Sequence, residues 1–124
     1  MIKFVYKICP ALVIYKKPKN PLYAGYTQGF IVFIDPAKQN DIGLLMHELT
    51  HVKQAYKGLF IIHGLKYIKN LKYRLACEIE AYKVQMTYNP EYQSTYANFI
   101  ANRYGLNIDE KYAYYLLGDC NDKW

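Results

Sequence analysis

Hydrophobic and polar positions along the chain change rhythm near residue 40. Before it, short apolar runs at 2–8, 12–15 and 29–35 are separated by the turn-forming segment 16–21 and by Gly25, and they predict strands. After it, apolar residues recur at helical spacing. Helices are predicted over 41–57 and 65–88, the second stopping before Asn89-Pro90, with shorter ones over 91–103 and 109–117. Strands followed by helices predict an α+β fold. The 124 residues suit one domain, 1–124, with no internal repeat and no linker.

Composition narrows the class. The chain is 52% hydrophobic and 21% charged, too apolar for a disordered tail. Cys9, Cys77 and Cys120 are widely spaced and form no CxxC pair, which excludes a disulfide framework and a cysteine-based zinc ribbon and predicts a reducing compartment. Lys3 and Lys7 interrupt the apolar start, so no signal peptide is expected, and no run of about 18 apolar residues predicts a transmembrane helix. A location in the cytoplasm of the producing cell follows. The net charge of +6 includes Lys66, Lys69, Lys72 and Lys83 on one side of the second predicted helix, read as its solvated face. With no nucleic-acid-binding motif, nucleic acid is not the expected partner.

Chemistry enters at His47-Glu48-Leu49-Thr50-His51, an HExxH pattern. On a helix the two histidines lie one turn apart on the same side, where both reach one Zn²⁺, and Glu48 stands beside the ion to take a proton from water. Three histidines and five glutamates in 124 positions make roughly 0.003 accidental matches, so coincidence is a poor competitor. Ile42, Leu45, Leu49, Val52 and Tyr56 form an apolar stripe roughly opposite the histidine edge, which predicts one side toward the core and the other toward a site.

A catalytic zinc normally takes three protein ligands. The extended HExxHxxGxxH signature needs glycine at position 54 and histidine at position 57, where this chain has Gln54 and Lys57. Carboxylates are the next candidates. Ile68, Leu71, Leu75, Ile79, Tyr82 and Met86 form the predicted buried face of the second helix; Glu78 lies at its edge, whereas Glu80 falls among lysines with Lys83 at i+3. Glu78 is the expected third ligand and Glu80 the alternative. A competing reading makes Glu78 an ordinary ion-pair partner of Arg74, one turn away.

These residues resemble the gluzincin branch of zinc metallopeptidases, and more closely the small HExxH domains of bacteria and phages that read HELxHVxQ and later ExEA. The likeness rests on His47 to Gln54 and Glu78 to Tyr82 and covers roughly residues 28–86. It implies a minimal zincin-like metallopeptidase with His47, His51 and Glu78 on Zn²⁺ and Glu48 as general base. Where gluzincins often carry an Asp that orients a histidine ligand, this chain has Tyr82, so a phenol is the implied partner; Gln54, on the histidine edge, is another.

The expected reaction is hydrolysis of a peptide or protein substrate by metal-activated water. The strand over 29–34 resembles the edge strand on which such enzymes lay an extended substrate. His63 and Arg74 are the named candidates for a donor to the oxyanion. Tyr112, Tyr114 and Tyr115 suggest packing or an interface with a protein partner or a second copy. The rival reading is a non-catalytic, zinc-stabilised structural or interaction protein, such as one of a phage particle, which places it in the virion. Glu48 discriminates between the two, because a structural zinc site has no use for a general base.

Overall fold

A computed structural model describes residues 2–5, 9–20 and 23–118. Four strands, β1 (Ile2–Val5), β2 (Cys9–Tyr15), β3 (Gly25–Gln28) and β4 (Ile31–Ile34), precede five helices, α1 (Ile42–Lys57), α2 (Ile61–Lys69), α3 (Leu71–Met86), α4 (Gln93–Arg103) and α5 (Glu110–Gly118). The fold is α+β, as the order of patterns predicts.

The sheet runs β1-β2-β4-β3, with β2 and β4 parallel and the outer pairs antiparallel. Two expectations change here. Residues 29–35 do not form an edge strand: β4 is interior, and the edge beside it is β3, which the hydrophobic pattern does not reveal. A tight turn joins them, with Gly29 at φ 62°, a conformation that favours glycine. Strand β2 starts earlier than predicted, at Cys9; Pro10 is tolerated because the β4 ladder begins only at Leu12. Residues 6–8 of the first predicted strand lie outside the described residues, as does Cys120.

Helix α1 starts where Asp41 accepts a hydrogen bond from the Leu44 amide at 3.0 Å. It packs Leu49 and Val52 on Val5, Ala11, Val13, Val32 and Ile34 of the sheet, although Ile42, at the end of its predicted stripe, is exposed. A second apolar cluster joins α3, α4 and α5 through Ile79, Tyr82, Tyr96, Ile100, Ala113 and Leu117. The chain therefore has two cores, and the contact between α1 and α3 is the seam between them.

The helix predicted over 65–88 is two helices. Asn70 breaks it, its backbone extended (ψ 104°) and its side chain capping α3 by accepting from the Tyr73 amide at 3.1 Å. Asparagine competes with the backbone for such bonds, which favours caps over helix interiors. Arg74 donates to the carbonyls of Tyr67 (2.8 Å) and Ile68 (2.6 Å) at the end of α2, and to that of Tyr104 (2.7 Å). The break also overturns the predicted buried face: Ile68 and Leu71 are exposed, while Ile79 and Tyr82 are buried.

Candidate metal centre

Helix α1 carries His47 and His51 to the seam, and α3 brings Glu78 to meet them. His47 Nε2 lies 3.6 Å and His51 Nε2 3.3 Å from Glu78 Oε1, and one ligand atom from each residue falls within 4.8 Å of the others. Two donors each about 2.05 Å from a tetrahedral ion stand about 3.3 Å apart, so the spacing suits a shared ion. Glu78 is 1% exposed, yet its Oε1 has no hydrogen-bond partner. A buried carboxylate oxygen facing two imidazole nitrogens beyond good hydrogen-bonding distance is the donor set and the unmet valence that a divalent cation satisfies. Glu80 is not in this group.

The other Glu78 oxygen is held. Tyr67, on α2, donates its phenol hydrogen to Glu78 Oε2 in a short hydrogen bond. Burial and then the Glu78 charge push the Tyr67 phenol far above its ordinary value, which keeps it a donor. Arg74, the predicted ion-pair partner of Glu78, is instead committed to three main-chain carbonyls. Arg74 also lines the cleft, its guanidinium held in place by these bonds.

Gln54 does act on a histidine. Its Oε1 lies 2.8 Å from His51 Nδ1, while its amide nitrogen donates to the Cys77 carbonyl at 3.0 Å and to Glu80 Oε1 at 2.7 Å. Glu80, which the sequence places among lysines, thus anchors the residue that orients His51. Tyr82 behaves differently from the expected phenol donor: its hydroxyl pairs with that of Tyr104 at 2.7 Å, and its ring packs edge-on against His47 at 4.3 Å. It fixes His47 by contact. His47 Nδ1 and Gln85 Oε1 are both buried without a hydrogen-bond partner among the described residues.

Charge within the cluster is strongly coupled. Burial disfavours the imidazolium of His51, but the Glu78 carboxylate outweighs it and raises His51 to about 9. Burial also opposes ionisation of Glu78, but the His51 charge, joined by His47, holds the carboxyl well below its ordinary value.

Glu48 is buried on the sheet side of the same helix. The Thr27 hydroxyl lies 2.8 Å from its Oε1, and Gly25 leaves room for the carboxylate, since a Cβ there would stand 2.9 Å from Oε2. Both belong to β3, so the edge strand and the carboxylate are built together. They open on a cleft of about 1150 Å³ that is also lined by His47, His51, Glu78 and, from α2, His63 and Tyr67. His63 Nδ1 pairs with the Tyr73 hydroxyl at 2.8 Å, and burial followed by the charge of His51 lowers it. Thr27, Gly25 and Tyr67 are functional residues that sequence reasoning misses: a Gly-Tyr-Thr-Gln strand has no apolar alternation, and Tyr67 is one of 15 tyrosines. No protein-family model, curated protein or solved structure matches this chain.

Proposed function

We propose that the chain is a zinc-dependent metallopeptidase. The observation that carries this reading is the buried Glu78 Oε1, without a hydrogen-bond partner among the described residues, facing His47 Nε2 and His51 Nε2, with Glu48 opening on the same cleft. His47, His51 and Glu78 would hold the zinc, which when bound supplies a Lewis acid for the carbonyl and lowers the pKa of water.

The chain's own groups supply the rest. Glu48 takes a proton from water in the cleft and later returns it to the leaving amine, as a general base and then acid. Thr27 fixes one oxygen of that carboxylate and leaves the other for the proton. An extended peptide has a place along β3, which pairs with β4 and has its other edge toward the cleft; backbone hydrogen bonds there would register the scissile bond. Tyr67 holds Glu78 Oε2 and so directs Oε1 toward the histidines. Glu48 also favours an enzyme over a structural zinc protein, because a structural site leaves that carboxylate idle.

The test is metal analysis followed by cleavage of a peptide library by wild type and Glu48→Gln. About one zinc per chain and cleavage lost in the variant are expected. Zinc-loaded, folded wild type that cuts no peptide would transfer the site to the structural reading.

A further inference from the structure

The other side of α2 has no role in the cleft. None of its nine residues is buried, and Ile61, Ile62, Leu65 and Ile68 stand 51–79% exposed. At about 100° per residue they share one flank, of which Ile68 alone also reaches the cleft, while His63 and Tyr67 occupy the flank turned to it. Leu59 extends the apolar surface at 69% exposure. It is displayed by a costly backbone, since Leu59 and Phe60 have φ of 58° and 48°, the left-handed region that side-chain-bearing residues avoid. The turn between β3 and β4 lies alongside, where Gly29 approaches the Phe60 ring, and it adds the exposed Phe30.

Charge identifies what covers this surface. Residues 49–77 contain no Asp or Glu and six Lys or Arg. Of these, Lys57, Lys66, Lys69 and Lys72 are exposed around the apolar flank. A second copy of the chain would bring the same lysines face to face, and a nucleic acid would leave the aliphatic side chains without a partner. A convex aliphatic ridge bordered by cations, on a chain of net charge +6, matches an anionic lipid surface, in which the apolar residues enter the headgroup boundary and the lysines meet lipid phosphates.

We infer that α2, with Leu59 and Phe30, is an interfacial helix that docks the protein on anionic membrane surfaces. No helix among the described residues is long and apolar enough to cross a membrane, so the attachment lies in the plane of the surface. The inference is independent of the reaction assigned to the cleft.

Sedimentation of the full chain with vesicles of phosphatidylcholine alone, or of phosphatidylcholine mixed with phosphatidylglycerol, tests it. Wild type is expected to partition at least about tenfold more strongly onto the anionic vesicles, and less so as salt is raised. Ile61→Gln/Leu65→Gln, which keeps good helix formers at exposed positions, should lose binding while retaining its circular dichroism. Lys57→Gln/Lys69→Gln should weaken binding about fivefold per lysine. Equal partitioning onto neutral and anionic vesicles, or anionic binding undiminished in Ile61→Gln/Leu65→Gln, would overturn the inference. So would a wild-type dimer in light scattering that the same variant dissolves, since that assigns the ridge to a second copy.

Discussion

Gln54 presents its amide oxygen, not its nitrogen, to His51 Nδ1, because both amide hydrogens are taken by the Cys77 carbonyl and Glu80 Oε1. The reversed amide would set its oxygen against two acceptors. Since an amide oxygen has no hydrogen to give, Nδ1 keeps its proton, and Nε2, which faces Glu78, is the nitrogen left to give up its proton and offer a lone pair to an ion. Gln54→Ala is therefore expected to lower zinc affinity about 10–100-fold, the usual cost of losing a ligand's orienting partner. Glu80→Ala should keep its zinc, because Cys77 still holds the amide. Competition with a chromogenic chelator measures both, and loss of metal in Glu80→Ala would show that the Cys77 carbonyl alone does not hold the amide.

Thr27 and Gly25 make a separate prediction, about turnover. Thr27→Val removes the donor to Glu48 at nearly constant volume, and Gly25→Ala drives a methyl group into the carboxylate. A hydrogen bond to a charged group contributes about 1.5–3 kcal/mol, so either change should lower peptide hydrolysis roughly 10–100-fold. Zinc content should stay at the wild-type level. Variants that turn over normally would remove Glu48 from the reaction as drawn.

Tyr67→Phe isolates the other contact to Glu78. It leaves a buried carboxylate oxygen without its donor, which costs about 1–3 kcal/mol of stability in denaturant titrations. Zinc affinity should fall about 10–100-fold. Wild-type values for both would show that the phenol does not hold the carboxylate.

Proton release accompanies loading. In the metal-free protein His51 is raised from 6.5 to about 9, so its contribution to stability is complete below pH 6.5 and is lost as pH rises through 9. Glu78 is held below 4.5, so its contribution is complete above that pH and is lost as pH falls. The two overlap between pH 4.5 and 6.5, where the metal-free chain should be most resistant to urea. At pH 7 zinc must displace the His51 proton. Calorimetry in buffers of different ionisation enthalpy should find about one proton released per ion, and none released would contradict the coupling of His51 to Glu78.

Legibility in the sequence followed the range of the interactions. His47, Glu48, His51 and Gln54 share one helix, so their spacing alone places them on adjoining edges. Glu78 is readable from its angle to Leu71 and Tyr82 even though the predicted helix runs through the break. The break at Asn70 was hidden because its asparagine bonds locally while the apolar spacing continues through it. The same continued spacing predicts Ile68 and Leu71 as buried, whereas both are exposed beside the break. Arg74 sits one turn from Glu78, yet the break supplies main-chain carbonyls that sequence separation cannot reveal. Thr27 and Tyr67 reach the site only through the placement of β3 and α2. Exposure of Tyr112, Tyr114 and Tyr115 leaves their surface available, whereas Tyr82 and Tyr96 are core residues.

The seam between α1 and α3 has a consequence for the lifetime of the folded chain. One core belongs to the sheet and α1, the other to α3, α4 and α5, and the polar cluster of buried His47, Gln54 and Glu78 with part-buried His51 lies where they meet. An ion held there would act as a rivet through two plates, and without it the pairing of His51 with the Glu78 carboxylate stands at the joint in its place. Bound zinc would then fasten the two halves, and a cell depleted of the ion would loosen the protein along this line before either core melts.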